Sequence, residues 1–423
     1  MIPCSRRQFL QHAPVLGMLT SALVHAAPNL SVVEVEERIC GLMWGTALGD
    51  ALGGPIEFQP RNRIQNLLDP PKVWQPGEKL NPSARAATAA RLRLRSYRDL
   101  RPTPESYGQW NQLSEPGTIT DDTRHKLVLL FALERADRTG RWPLTVQDLA
   151  KAYLDWPSSP AIAGRPGYEA LARDWLEEWQ LAARWVLGER DLSRALPPER
   201  MWQSLPTCSG QMTLLPIAAL EAGRPEAAYR AAYDLAFFDN GFGKDLNAAL
   251  VAGLAEALVT PWDAARPRMA YTHVFEVMRT TDPFRFRQIR WTERAVDRWL
   301  NLALKLAREA EGEPARLFAR LDQVFAETTK WEAQVPVVVA VSCLELADYD
   351  ALAAVQLCLE WGHDSDSYAQ LIGAMAGALQ GPNLFPESWR TAVGARLQAD
   401  HGVDWSEACR FLCRTRTGIR PAP

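Results

Sequence analysis

The sequence lacks the features that mark several common classes of protein. Its seven cysteines form no Cys-x-x-Cys pair, and no His/Cys spacing typical of a zinc site is present. No long basic or acidic run occurs and the formal net charge is −3, so its charge gives no reason to expect nucleic acid or an anionic membrane surface as a partner. Runs of β-branched residues are rare. Residues 337–341 alone resemble a strand locally, although the wider stretch 335–346 has helical spacing.

The residues that are abundant point to helices. The chain has 423 residues, of which 47% are hydrophobic, and alanine and leucine are common. Apolar residues recur at helical spacing in several stretches, notably 33–49, 120–135 and 366–379. Residues 60–118 are rich in Pro, Arg and Asn and are expected to be irregular. Because no internal repeat or linker stands out, we expect an all-α protein with one compact domain over residues 31–415.

The first 26 residues carry the pattern of an export signal. Arg6 and Arg7 lie in a Ser-Arg-Arg-Gln-Phe-Leu stretch, an apolar segment follows over residues 13–24, and Ala26 offers a small residue at a cleavage position. The apolar segment is too short for a membrane anchor, and no other segment looks membrane-spanning. We therefore expect residues 1–26 to be a twin-arginine signal peptide and the mature protein to be periplasmic or extracellular. The alternative is a chance basic N-terminus.

Four glycines recur at every fourth position of the first predicted helix. They are Gly41, Gly45, Gly49 and Gly53. A spacing of four places them on one helical face. Since each glycine lowers the stability of a helix, we expect another element to approach this face very closely.

Three acidic clusters are candidates for chemistry. They are Asp50 with Glu57, Asp121 with Asp122, and Asp364 with Asp366. In the second and third clusters, the carboxylates and neighbouring hydroxyls lie at the expected start of an apolar helix. One such cluster would be explained by helix capping, but two matching clusters hold more carboxylates than capping needs. Arg124 could offset the second cluster, whereas Mg²⁺ or Mn²⁺ would suit an all-oxygen set of ligands better.

These clusters, in this order, resemble the ADP-ribosylglycohydrolase family, which includes the dinitrogenase reductase activating glycohydrolase. The family pattern G-x-x-x-G-x-A-x-G-D-A-x-G-x-P-x-E matches residues 41–57. Its T-D-D-T motif matches residues 120–123, and its G-G-D-T-D-T motif matches residues 362–367 with histidine in place of the second glycine and serine in place of both threonines. The resemblance extends over about residues 36–392, and it is the combination of motifs that is specific.

The resemblance implies an orthogonal all-α bundle with two Mg²⁺ (or Mn²⁺) ions in a cleft. By position, the implied metal ligands are Thr120, Asp121, Asp122, Asp364, Asp366 and Ser367. Glu57 matches a glutamate that orients or activates the attacking water or gates the second metal, and Asp50 is expected to have a structural role. The implied reaction is hydrolysis of an N- or O-glycosidic bond in an ADP-ribosyl or related ribosyl compound. We expect a small-molecule or ADP-ribosylated substrate, no membrane anchor, no nucleic-acid partner, and a monomer.

Several residues depart from the family pattern where a substrate pocket would be shaped. His363 replaces a glycine, which would strain the backbone if φ is positive there, and it either contacts substrate or packs in its loop. Thr213 stands where arginine is usual, and residues 239–241 replace a stretch that often carries histidine. Two other functions therefore stay open: a binding or structural protein without catalysis, and a metal-dependent hydrolase of another bond, such as a phosphoester.

Overall fold

The computed structural model describes residues 30–59, 61, 64, 72–96, 115–163, 172 and 175–416. The predicted signal peptide lies outside the described residues. Within them the regular elements are helices, and the only β-type pairing is an isolated bridge between Thr207 and Glu332. The expectation of an all-α protein is confirmed. No helix in this part of the chain is long and apolar enough to cross a membrane.

Seventeen α-helices are described. In chain order they are α1 (Val32–Gly53), α2 (Pro82–Ala89), α3 (Asp121–Arg138), α4 (Val146–Asp155), α5 (Glu177–Val186), α6 (Ser209–Thr213), α7 (Ile217–Leu220), α8 (Pro225–Leu235), α9 (Gly241–Ala257), α10 (Pro267–Thr280), α11 (Ala295–Glu309), α12 (Pro314–Val324), α13 (Gln334–Leu346), α14 (Ala351–Trp361), α15 (Ser365–Gln380), α16 (Glu387–Arg396) and α17 (Trp405–Thr415). The helical spacing over 335–346 is confirmed, and the local resemblance of 337–341 to a strand is wrong, because these residues lie inside α13. Almost all of α13 is buried, and a continuous apolar run does not distinguish a buried helix from a buried strand.

Helices α1 and α15 form the centre of the molecule and touch through their backbones. A Cβ atom added to Gly45 would lie 2.0 Å from the carbonyl oxygen of Gly373, and one added to Gly53 would lie 2.4 Å from the Cα atom of Asp366. Gly41 and Gly49 make equally close approaches to α15. The expectation from the glycine spacing is confirmed, and the contact fixes the start of α15 against the end of α1.

Helix capping explains the start of α3 but not that of α15. The hydroxyl of Thr120 accepts a hydrogen bond from the backbone N–H of Asp122 at 3.1 Å, which is an ordinary N-cap. Asp364 holds the corresponding position before α15, yet its side chain makes no capping hydrogen bond. The carboxylate of Asp364 is therefore available for another role.

Candidate metal and active site

The predicted site residues come from three elements that meet at one place. Glu57 follows a 3₁₀ turn at the end of α1, and Asp121 and Asp122 begin α3. Asp364 directly precedes α15, and Asp366 lies in its first turn. The carboxylate oxygens fall into two groups, each within 4.8 Å. One group contains Glu57 and Asp364, the other contains Asp121 and Asp122, and Asp366 belongs to both.

Three of the four carboxylate oxygens of Asp364 and Asp366 make no hydrogen bond of normal geometry within the described part of the chain. Among the described residues, none donates at normal geometry to either oxygen of Asp366 or to Oδ2 of Asp364. Burial raises the pKa of Asp366 to about 7, although the nearby Thr120 hydroxyl partly opposes this shift. Burial and the charge of Asp366 raise the pKa of Asp364 well above its usual range. Unpaired buried anions are costly, so this arrangement suits a bound cation with oxygen ligands.

Asp122 is held by side chains from α3 and α15. Ser367 Oγ donates to its two carboxylate oxygens at 3.2 and 3.3 Å, and Gln370 Nε2 donates to Oδ1. The buried Lys126 ammonium donates to the Gln370 side-chain oxygen and, at 2.9 Å, to the backbone oxygen of Asp122. The sequence reasoning missed Lys126 and Gln370. The spacing of four between Asp122 and Lys126 was the available signal, since it places both on one face of α3.

Asp50 links the end of α1 to the first turn of α3. Its Oδ1 accepts from the backbone N–H of Thr120 at 2.8 Å, and its Oδ2 accepts from that of Thr123 at 2.9 Å. Asp50 is completely buried. These contacts give it the structural hydrogen-bonding role that its position suggested.

A pocket of about 230 Å³ opens over the carboxylates. Glu57, Asp121, Asp122, Asp364 and Ser367 line its floor. Its apolar lining includes four aromatic side chains that the sequence reasoning had not selected. They are Phe58, Trp179, Trp202 and Trp331. No local pattern identifies them, because they come from four separate segments of the chain.

His363 is next to the site in sequence but is not one of the described residues that line the pocket. Its φ is +62°, the left-handed conformation in which the family glycine would be free of strain. Its ring lies 4.6 Å from that of Trp361, and its Nε2 lies 4.0 Å from Asp322. Its carbonyl oxygen accepts from the backbone N–H of Phe58 at 2.7 Å. The structure thus places the His363 side chain in loop packing, and a substrate contact stays a prediction.

Two other departures from the family pattern lie in buried hydrogen-bond networks. The Thr213 hydroxyl is 3.1 Å from the Tyr153 hydroxyl. Asp239 accepts from the backbone N–H of Gly210 and from the side-chain amide of Asn247, both at 2.9 Å. These contacts hold α6 in place, and Ser209 and Met212 of this helix line the pocket.

The fold and the site together define an all-α protein with a buried carboxylate centre that could hold metal ions. The chain belongs to the ADP-ribosylglycohydrolase family, a family of hydrolases, whose model matches residues 31–414. It is 24% identical to the uncharacterized protein YegU of Escherichia coli (strain K12) over 381 residues, which are 90% of this chain and 97% of that protein. It is also similar to a solved structure titled ADP-ribosylglycohydrolase-related protein complex, with 18% identity, a TM-score of 0.48, and coverage of 90% of this chain and 99% of the other.

Proposed function

We propose that this protein is a metal-dependent glycoside hydrolase that cleaves an N- or O-glycosidic bond of an ADP-ribosyl or related ribosyl compound. The observation that carries the proposal is Asp366, whose two buried oxygens make no hydrogen bond of normal geometry with the described residues and which belongs to both carboxylate groups. A carboxylate that belongs to both groups could contribute a ligand to a cation in each of them. Carboxylate and hydroxyl ligands favour Mg²⁺ or Mn²⁺.

The side chains available for the two ions follow from the two groups. Asp121 and Asp122 would hold one ion, Glu57 and Asp364 would approach the other, and Asp366 would contact both. The hydroxyls of Thr120 and Ser367 complete the proposed ligand set at the helix starts. When bound, such ions orient sugar hydroxyls and lower the pKa of a water molecule.

Glu57 is the candidate for proton transfer. It is 3% exposed, lines the pocket, and follows Pro55 in the loop that ends α1. A carboxylate at the pocket floor can take the proton of the attacking water while the neighbouring aspartates stay ionised around the cations. Cleavage of the glycosidic bond would then pass through an oxocarbenium-like transition state.

Replacement of Glu57 by glutamine tests this proposal. Glu57→Gln is nearly isosteric but cannot take a proton, so we expect turnover to fall by about 10²–10⁴-fold with unchanged helical content. The assay would offer ADP-ribosyl-arginine, ADP-ribosyl-serine, O-acetyl-ADP-ribose and simple nucleosides, each with Mg²⁺. Release of free sugar would be measured alongside circular dichroism.

The control is Glu387→Gln, because Glu387 is exposed at the start of α16. This variant should keep the wild-type rate. Near wild-type turnover by Glu57→Gln would remove Glu57 from the mechanism. If the wild-type protein hydrolyses none of these compounds, the ribosyl assignment is contradicted.

A further inference from the structure

Two aromatic pairs line the pocket above the carboxylate floor. The rings of Phe58 and Trp331 lie edge to face, with centroids 6.1 Å apart and planes at 86°. The rings of Trp179 and Trp202 are arranged similarly, at 5.4 Å and 68°. Phe58 and Trp331 are also 45% and 40% exposed, so these rings retain free surface. Free aromatic surface in a pocket is suited to a flat ligand group.

One ring of each pair is held by a left-handed backbone. Phe58 has φ of +51° and Trp202 has φ of +50°, and the next two residues, Gln203 and Ser204, are also left-handed. This conformation is costly for residues other than glycine and persists only where the surroundings enforce it, often at sites that grip a ligand.

Hydrogen bonds hold both strained positions. The backbone N–H of Phe58 donates to the carbonyl of His363 at 2.7 Å, and Asn240 donates to the carbonyl of Met201, beside Trp202, at 3.2 Å. The Ser204 hydroxyl donates to the carbonyl of Glu199 at 2.6 Å. The two aromatic side chains are therefore positioned before any ligand arrives.

The charges around the pocket do not favour a diphosphate. None of the described residues that line it is lysine, arginine or histidine. Two divalent ions would bring four positive charges to the five carboxylates that form the two groups, so no excess positive charge would remain. The buried Lys126 is already engaged by Gln370 and the backbone of Asp122. The volume of about 230 Å³ lies below the range of about 300–1,000 Å³ typical of ligand pockets, which also favours a small substrate.

We propose that the pocket selects an uncharged riboside whose leaving group is flat, such as a nucleobase or an aryl group. The flat group contacts the aromatic pairs, and the sugar hydroxyls lie at the carboxylate floor. This inference rests on the proposed function for the position of the sugar. It adds Phe58 and Trp202 as specificity-determining residues and disfavours substrates that carry a diphosphate.

Calorimetric titration of the full mature protein with Mg²⁺ tests the inference. The neutral probes are adenosine, uridine and 4-nitrophenyl β-D-ribofuranoside, and the charged probe is ADP-ribose. We expect at least one neutral riboside to bind about tenfold or more tightly than ADP-ribose, because stacking contributes on that scale while the described lining offers the diphosphate no cationic side chain. Tighter binding of ADP-ribose than of every neutral probe would overturn the inference, as would the absence of measurable binding by all neutral probes.

Variants of the two strained aromatic residues give a second measurement. Trp202→Asn and Phe58→Asn remove a ring and keep a residue that tolerates the left-handed conformation. Each should weaken the best neutral probe by about tenfold, without changing Mg²⁺ binding. The control is Trp291→Asn, since Trp291 is 92% exposed and does not line the pocket. Unchanged affinity in both ring variants would overturn the proposed contacts.

The inference and the proposed function can fail separately. Hydrolysis of an ADP-ribosyl substrate, with ADP-ribose as the tightest probe, would overturn the substrate class and uphold the hydrolase. Ring-dependent binding of a neutral riboside without any turnover would uphold the substrate class and count against hydrolysis.

Discussion

At the scale of single residues, the key contrast is between two aspartates that precede helices. Asp350 precedes α14, and its side chain accepts the backbone N–H of Ala353 at 3.0 Å, as an ordinary N-cap does. Asp364 precedes α15 and makes no such bond, and its buried Oδ2 has no donor among the described residues. The same residue type at the same kind of position thus has a capping role in one place and is free to bind a cation in the other.

Metal-binding measurements should distinguish the role of Asp364 from that of Asp350. The wild-type protein should bind about two divalent ions and lose thermal stability on chelation, since ligands that bind only the folded state stabilise it. Asp364→Ala should remove at least one ion, as measured by metal analysis and calorimetry. Asp350→Ala should lose only the cap, about 1 kcal/mol of unfolding free energy, and keep its ions. A well-ordered crystal structure grown with excess Mg²⁺ and showing no ion at this site would contradict the assignment.

The sequence reveals residues that are neighbours along the chain better than residues that meet only in space. Asp121 with Asp122, and Asp364 with Asp366, are visible as pairs, and their place at helix starts is readable from the apolar periodicity. Gln370 is not visible as a partner of Asp122, because the contact depends on how α3 crosses α15. Trp202 is still less predictable, since its orientation depends on a left-handed backbone that no residue type demands.

At the scale of elements, α1 and α15 explain why the acidic clusters converge. Each glycine of α1 that faces α15 removes a side chain, and the resulting backbone contact runs from Gly41 to Gly53. Gly53 touches the backbone of Asp366, and Asp50 binds the first turn of α3. The spacing of glycines could be read from the sequence, but the identity of the opposing helix needed the structure, although Gly373 and Gly377 repeat the same interval.

A methyl group inside this contact should be poorly tolerated. Gly45→Ala would place Cβ 2.0 Å from the Gly373 carbonyl oxygen, and backbone cannot move aside as a flexible side chain can. We expect the free energy of unfolding to fall by about 3 kcal/mol or more, despite the better helix propensity of alanine. Urea titration would measure the loss.

Gly140→Ala is the matched control for this variant. Gly140 has φ of +64°, and no described atom lies within 4 Å of the place that its Cβ would take, so alanine there costs only backbone strain, about 1–2 kcal/mol. A Gly45→Ala protein as stable as the Gly140→Ala protein would contradict this expectation, because the close contact would then cost no more than the backbone strain at Gly140.

At the scale of the whole molecule, the buried carboxylates couple stability to pH and to metal. The usual pKa of Asp366 is 3.8, and burial raises it to about 7 in the folded protein. The pKa values of Asp122 and Asp364 are also well above their usual range, chiefly through burial. Between about pH 4 and 7 the metal-free folded state therefore holds more protons than the unfolded state. Its stability must then fall as the pH rises through this interval.

We therefore expect metal-free protein in a chelator to unfold at lower urea concentration at pH 7.5 than at pH 5. Burial lowers the pKa of His125, so below about pH 6.5 this residue makes the folded state more stable as the pH rises. Because it is a single group, we expect the several carboxylates to determine the overall trend. With saturating Mg²⁺ the difference should disappear or reverse, because cation binding requires ionised ligands. Greater stability at pH 7.5 without metal would contradict the proposed electrostatics of the site.

Export is a separate proposal at this scale, resting on Arg6 and Arg7 within the first 26 residues. Changing both to lysine preserves the charge but removes the arginine pair, so the precursor should remain in the cytoplasm. Fractionation of cells that express the full chain would measure this. The same double change at Arg93 and Arg95 should leave the location unaltered. Arrival of the doubly changed protein in the periplasm would exclude the twin-arginine route.

The glycine contact between α1 and α15 has a consequence for how new specificities could arise. The separation of Glu57 from Asp366 depends on the close main-chain contact between α1 and α15, whereas Trp202 and Trp331 belong to segments outside both helices. Exchange of residues 198–204 for a loop of different shape would alter what enters the pocket without moving the carboxylates beneath it. The loop beside the pocket could therefore be exchanged while the carboxylate site stays fixed. Such an arrangement is suited to loop grafting and to directed selection of variants that accept other glycosides.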